Sequence, residues 1–222
     1  MRKFSVYQHW DPLRLCVVGR SYPPEFYNWI TVPHVRSLFE TMAQETEEDY
    51  QAIIKKLTEL EVEVIRPHLP QKTMIGGRYM PPPMTPRDYM VMIGDRFYKG
   101  YQLNLPRFYA DIKDPTWPNV TDDQQFWNLP RHILDECQDV HDLDAYIKFY
   151  SSYDHVFDRI AAQGNEIRSP MGHITNGAYV TRVGRDLYFG TPVGITDVEQ
   201  CRRQVKQEFP QYRTHVIATG GH

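Results

Sequence analysis

The sequence predicts an α/β protein assembled from repeated strand-and-helix modules. The first observation is internal. Pro86 to Gly100 (PRDYMVMIGDRFYKG) and Asn176 to Gly190 (NGAYVTRVGRDLYFG) align without a gap, matching Tyr89 with Tyr179, Gly94 with Gly184, Tyr98 with Tyr188 and Gly100 with Gly190. Each stretch has the form of a hairpin, two apolar runs around a glycine-led two-residue turn. The second observation is that the chain opens as strand, loop, amphipathic helix and strand. The third is that it finishes on a capped helix followed by a strand. Self-similar units that each supply strands and a helix point to a repeat architecture. Two hairpins that each need a turn glycine and aromatic strands could also be alike by chance, which is the competing account.

Taken in order, Leu13 to Val18 (LRLCVV) is a short apolar run closed by Gly19 and Arg20, which predicts a buried strand. Leu38 to Leu60 predicts a helix. Met42, Tyr50, Ile53, Ile54, Leu57 and Leu60 fall near one stripe, with Glu45, Glu47, Glu48, Lys55 and Lys56 on a solvated face. Val62, Val64 and Ile65 give a short strand ended by Arg66-Pro67, and Gln71 to Pro86 is a loop rich in glycine, proline and methionine. The first hairpin pairs Tyr89–Ile93 with Arg96–Lys99 around Gly94-Asp95. Asn104 to Asn128 is loop-like, and Asp142 to Ala162 predicts a helix of weak periodicity. The second hairpin pairs Ala178–Val183 with Asp186–Gly190. Thr196 to Glu199 (TDVE) is a capping box, and it launches a helix whose inward stripe is Val198, Cys201, Val205 and Phe209. Thr214 to Ala218 is the last strand.

Composition narrows the function classes. The 222 residues carry a net charge of −3, which lacks the basic footprint of a nucleic-acid binder. No apolar run approaches the length of a membrane span, and MRKFSVYQHWDPL lacks the apolar core of a signal peptide. A cytoplasmic protein with neither a nucleic-acid nor a membrane partner is expected. The three cysteines, Cys16, Cys137 and Cys201, are widely spaced and form no CxxC, which disfavours a disulfide framework or a structural zinc. HExxH, Walker-loop and GxGxxG patterns are missing from the sequence, so chemistry without a cofactor or metal is expected. The 13% aromatics and 17 prolines favour a folded chain with many turns over a helical bundle.

Several segments in order resemble glycine amidinotransferases: WDPLRLCVVGR (Trp10 to Arg20), ELEVEVIRP (Glu59 to Pro67), MTPRDYMVMIGDRFY (Met84 to Tyr98), AAQGNE (Ala161 to Glu166), NGAYVTRVGRDLYF (Asn176 to Phe189) and YRTHVIATGGH (Tyr212 to His222). The Pro-Arg-Asp at the head of the first hairpin is the most specific of these. The resemblance implies the α/β propeller of the pentein superfamily, in which five strand-helix modules surround a central channel. Residues 1–222 would then be a single amidinotransferase-like domain holding about three of the five modules, truncated at its C-terminus.

The chemistry such a fold implies makes three demands. A guanidinium is planar, cationic and resonance-stabilised, so carboxylates must hold its fork. A cysteine thiolate must attack its central carbon to form a covalent amidino-enzyme. A histidine oriented by an acid must protonate the departing amine. The resemblance assigns guanidinium binding to Asp88 and the catalytic histidine to His222. It places Asn176 at the position of the acid that orients this histidine, and Tyr179 at another position where the family carries an acid or amide. An amide accepts a hydrogen bond from imidazole but gives no charge to stabilise imidazolium. The family cysteine has no counterpart in this sequence. Cys16 falls mid-strand and Cys201 on an apolar helix face, while Cys137 and His141 share only an i, i+4 spacing. His9, His34, His68, His132, His155, His173 and His215 show no ligand spacing, and Arg168 and His173 could line the channel.

Three functions follow. One is amidino transfer from arginine or a related guanidino donor to an amine. A second is non-catalytic guanidino binding or a structural role, which Asn176 and the missing cysteine suit. The third is a deiminase-like hydrolysis with water as acceptor. Self-association into a homo-oligomer would cover strand edges that a partial propeller leaves open.

Overall fold

The computed structural model describes residues 3–69, 74–75, 78–79, 82–99, 151–168, 177–192 and 198–219. The predicted loop 104–128, Cys137, His141, His173, Asn176, the start of the capping box and His222 lie outside the described residues. The protein is a mixed α/β chain, with four small sheets among the described residues. Two compact units divide it. The first draws on Met1–Arg14, Thr85–Leu103 and Val156–His222, the second on Leu15–Met84 and Asn104–His155.

In the second unit, β1 (Leu15–Val17) pairs in parallel with β2 (Glu63–Ile65), Cys16 lying opposite Val64. Parallel neighbours need a crossover, and here it is a 3-10 turn, Pro24–Trp29, followed by helix α1, Pro33–Glu59. The helix begins five residues before the sequence suggests. Pro33 occupies its first turn, where a missing N–H costs nothing.

Its inward stripe is the buried Val35 and Ala43 with the half-buried Phe39, Thr46, Tyr50, Ile54 and Leu57. Met42, Ile53 and Leu60, expected to face inward, are exposed. The apolar positions of this helix sweep more than a third of its circumference. Among the described elements the 3-10 turn and β2 cover it most, and one flank of the apolar sweep is left in solvent. Tyr22, Tyr27, Ile30, Val35 and Ala43 form the core of this unit. The loop expected over 71–86 contains a short antiparallel pair, β3 (Met74–Ile75) with β4 (Arg78–Tyr79). The sequence between them is Gly76-Gly77, a dipeptide that favours tight reversal.

The first unit is built from one topology used twice. A helical turn, α2 (Pro86–Tyr89), leads into β5 (Met90–Ile93), which hairpins to β6 (Arg96–Lys99). A 3-10 turn (Ser151–Tyr153) and the first two residues of helix α3 (Asp154–Ala161) belong to the second unit; the first resumes at Val156, and the strand β7 (Glu166–Arg168) then joins β6 in parallel. In the second copy a 3-10 turn (Gly177–Tyr179) leads into β8 (Val180–Val183), which hairpins to β9 (Asp186–Pro192). Helix α4 (Val198–Glu208) then returns the chain as β10 (Arg213–Thr219), parallel to β9.

The sequence alignment holds residue by residue in the ladders. Met90 pairs with Lys99 as Val180 pairs with Phe189, and Ile93 with Arg96 as Val183 with Asp186. Gly94 (φ 62°) and Gly184 (φ 59°) take the positive φ that the first turn position requires, while Asp95 and Arg185 do not, a type II′ pattern. Both hairpins also depart from expectation alike: Tyr89, and Ala178 with Tyr179, lie in helical turns instead of in the strands that follow.

Helix α4 fills the space over the β8–β9–β10 sheet. Cys201, Val205 and Phe209 are buried against Val91, Tyr98, Leu187, Phe189 and Val216, with Val198 packed at the edge. Glu208 accepts the Tyr98 hydroxyl at 2.7 Å and pairs with Arg96 and Arg168. The N-terminal strand segment is fastened to the first hairpin. Val6 and Gly94 exchange backbone hydrogen bonds of 2.8 and 2.9 Å. The buried Asn165 carboxamide accepts from Phe4 N at 3.0 Å and donates to Phe4 O and Asp95 O at 2.8 and 2.7 Å. Among the described residues, no helix is long and apolar enough to cross a membrane.

Candidate functional site

Asp88 sits on the helical turn that feeds directly into β5. Pro86 fixes φ at the first position of that turn and is buried, and Asp88 N donates to Thr85 O at 2.9 Å. Tyr89, 2% exposed, anchors the turn from below. These contacts present the Asp88 carboxylate at the head of the hairpin with 22% of its side chain exposed. Its ion-pair partner is Arg87, whose Nε lies 3.9 Å away on a side chain that is 75% exposed. So long and solvated a pair leaves the carboxylate oxygens available to another cation.

The turn of the second repeat packs on this one. A Cβ built at Gly177 would lie 2.4 Å from Arg87 O and 2.7 Å from Met90 O, so the two backbones touch where only glycine fits. The residue that follows Asn176 in the chain is thereby in contact with the turn carrying Asp88. By the register of the repeats, the counterpart of Asp88 is the exposed Ala178. The second repeat therefore offers no matching carboxylate at that position. Tyr179 is half-buried at the end of its turn. Strand β10 ends at Thr219, three residues before His222 in sequence.

The described cysteines are placed as packing residues. Burial pushes the Cys16 thiol up, the opposite of what a thiolate nucleophile needs. Cys201 is 3% exposed within the core under α4. Arg168 is taken up by carboxylates, with Nε 2.9 Å from Glu166 and Nη1 on Glu208. Among the described residues, no three His, Cys, Asp or Glu side chains converge as metal ligands.

One polar cluster escaped the sequence altogether. In the second unit, Arg66 forks onto Glu47 with contacts of 2.6 and 2.7 Å, and its Nε and Nη2 donate to Gly19 O at 3.1 and 2.7 Å. The Tyr50 ring lies 5.6 Å from its guanidinium carbon. Hydrogen bonds from Arg66 hold the Glu47 carboxyl below its ordinary value. Beside this pair, the His68 and His155 rings stack 3.8 Å apart at 10°. His155 Nε2 lies 2.8 Å from Arg66 O. A carbonyl oxygen only accepts, so Nε2 is the donor of this contact. No spacing rule brings positions 20, 47, 66, 68 and 155 together. The parallel β1–β2 pair and the long crossover gather the first four, and the start of α3 adds His155.

No protein-family model matches the sequence, and no curated protein matches it. Solved structures do share its fold. SxtG, an amidinotransferase of the saxitoxin biosynthetic pathway from Microseira wollei, superposes with a TM-score of 0.56 at 14% identity over 96% of this chain and 62% of that one. Inosamine-phosphate amidinotransferase StrB1 from Streptomyces griseus superposes with a TM-score of 0.55 at 16% identity, again over 96% of this chain and 62% of its own. The chain thus has the fold of amidinotransferases and spans somewhat under two thirds of the length of each.

Proposed function

We propose that this chain forms the guanidinium-gripping part of an amidinotransferase-type protein, a partial α/β propeller in which Asp88 orients the donor. The observation that carries the proposal is the Asp88 carboxylate, held at the head of its hairpin with only a loose, solvated partner, on a turn that abuts Gly177. A planar cationic fork bound there trades water for paired carboxylate oxygens. The donor is arginine or a related guanidino compound. In the transfer, a thiolate attacks the guanidinium carbon, the amine leaves with a proton from an imidazolium, and an acceptor amine then displaces the thiolate. His222 is the proton donor in this scheme and Asn176 its orienting neighbour. The thiolate is none of the described cysteines.

Calorimetric titration of the chain with arginine tests the grip. Binding that weakens by about tenfold or more in Asp88→Asn, equivalent to roughly 1.4 kcal/mol, is the expected result. Equal affinity for the wild type and the variant sinks the assignment. A second function, guanidino binding without turnover, is favoured by Asn176, whose amide cannot balance an imidazolium. Arginine binding with no amidino transfer to glycine, even in a longer form of the chain that supplies the cysteine, would select it.

A further inference from the structure

We infer that the second unit carries a separate binding site for a small oxyanion, a carboxylate or a phosphate, at Arg20, His68 and His155. The inference does not depend on the guanidinium grip at Asp88. Arg66, Arg96, Arg168 and Arg213 each face a carboxylate. Arg20 has none within ion-pair distance among the described residues, and its Nε is buried without a hydrogen-bond partner. A guanidinium cannot discharge by losing its proton, so a half-buried one with an unsatisfied N–H favours an anion beside it. The neighbouring carboxylate, Glu47, has both oxygens committed to Arg66.

Three further features make the place a site instead of a lone cation. First, His155 Nδ1 is buried and unpartnered, and it becomes a donor when the ring is protonated. Second, the His68 ring stacked upon it is exposed, which leaves the cluster open on that side. Third, the ground charge is positive: Arg20 and Arg66 against Glu47. His155 and Arg20 both act on His68 to favour its neutral form, and an anion beside them would oppose that effect. The Arg66 fork onto Glu47 and Gly19 O fixes the backbone that precedes Arg20, which preorganises the donor. Binding couples to proton uptake at His68, and it tightens as pH falls.

Titration of the full chain, followed by histidine ring resonances, tests this with inorganic phosphate and acetate as probes. Saturable shifts at His68 and His155 are expected with at least one probe, weakened about tenfold or more in Arg20→Gln and tighter at pH 6 than at pH 8. Saturation by phosphate alone assigns a phosphoryl ligand, and saturation by both assigns a carboxylate-sized oxyanion. Should Arg20→Gln fail to fold, the exposed His68→Gln replaces it, with loss of the pH dependence as its expected effect. Shifts that are absent with both probes, or unchanged in the variant, overturn the inference.

Discussion

Glu47 and Arg66 are joined by two charge-assisted hydrogen bonds, and the pair ties α1 to the strand that follows it. Because Arg66 holds the Glu47 carboxyl below the unfolded value of about 4.3, the contribution to stability is fully present above that pH. It is lost as pH falls through the lower, folded value. We expect Glu47→Gln to melt below the wild type near pH 7. The two melting temperatures should converge as pH falls through that lowered value, where the wild-type carboxyl itself becomes neutral. Circular-dichroism melts from pH 3 to 7 check this, and a constant gap across the range would remove Arg66 as the cause. In the sequence Glu47 lies in an acidic run with Glu45 and Glu48, and nothing local sets it apart. Its partner is nineteen residues away, across the helix end. Asp88 was legible for the opposite reason, because Pro-Arg-Asp lies contiguous with the hairpin it heads.

Among the elements, α4 shows what periodicity can and cannot reveal. Its stripe of Cys201, Val205 and Phe209 is buried as the spacing predicts, since a short helix over a sheet has one apolar face and one place to put it. Phe209 is 0% exposed and contacts the Tyr98, Phe189 and Tyr212 rings at centroid distances of 5.5, 5.7 and 6.3 Å. We expect Phe209→Ala to cost about 3–5 kcal/mol. The readout is a lower urea midpoint at an unchanged slope. Helix α1 obeyed its periodicity less well. Its apolar residues span too wide an arc for the small β1–β2 pair to cover, so Leu38, Met42, Ile53 and Leu60 remain exposed. Burial there is decided by how much neighbour exists, which no pattern in the helix itself records.

At the scale of the molecule, the repeat is the feature the sequence disclosed most fully. The gapless match of Pro86–Gly100 with Asn176–Gly190 became identical ladder registers, turn conformations and parallel third strands. What the alignment hid is where the repeats meet, because a glycine that touches a neighbour looks like any other glycine. At Gly177 a methyl group would stand 2.4 Å from Arg87 O. Gly177→Ala should therefore destabilise the protein by about 1–3 kcal/mol. Because the displaced atoms belong to the Asp88 turn, it should also weaken arginine binding. Loss of stability without loss of affinity would separate the turn from the grip. The same geometry explains why the site was only half legible. The motif names a carboxylate, whereas its surroundings come from a turn ninety positions away.

The Asn165 carboxamide has a practical corollary for anyone handling the protein. Two of its three hydrogen bonds end on Phe4, so the amino end is knotted to the first hairpin almost from its beginning. A purification handle fused directly ahead of Met1 would tug on that knot, and a flexible spacer would relieve the strain. Trimming the first six residues would strip a buried amide of most of its partners and unseat the Val6–Gly94 bridge.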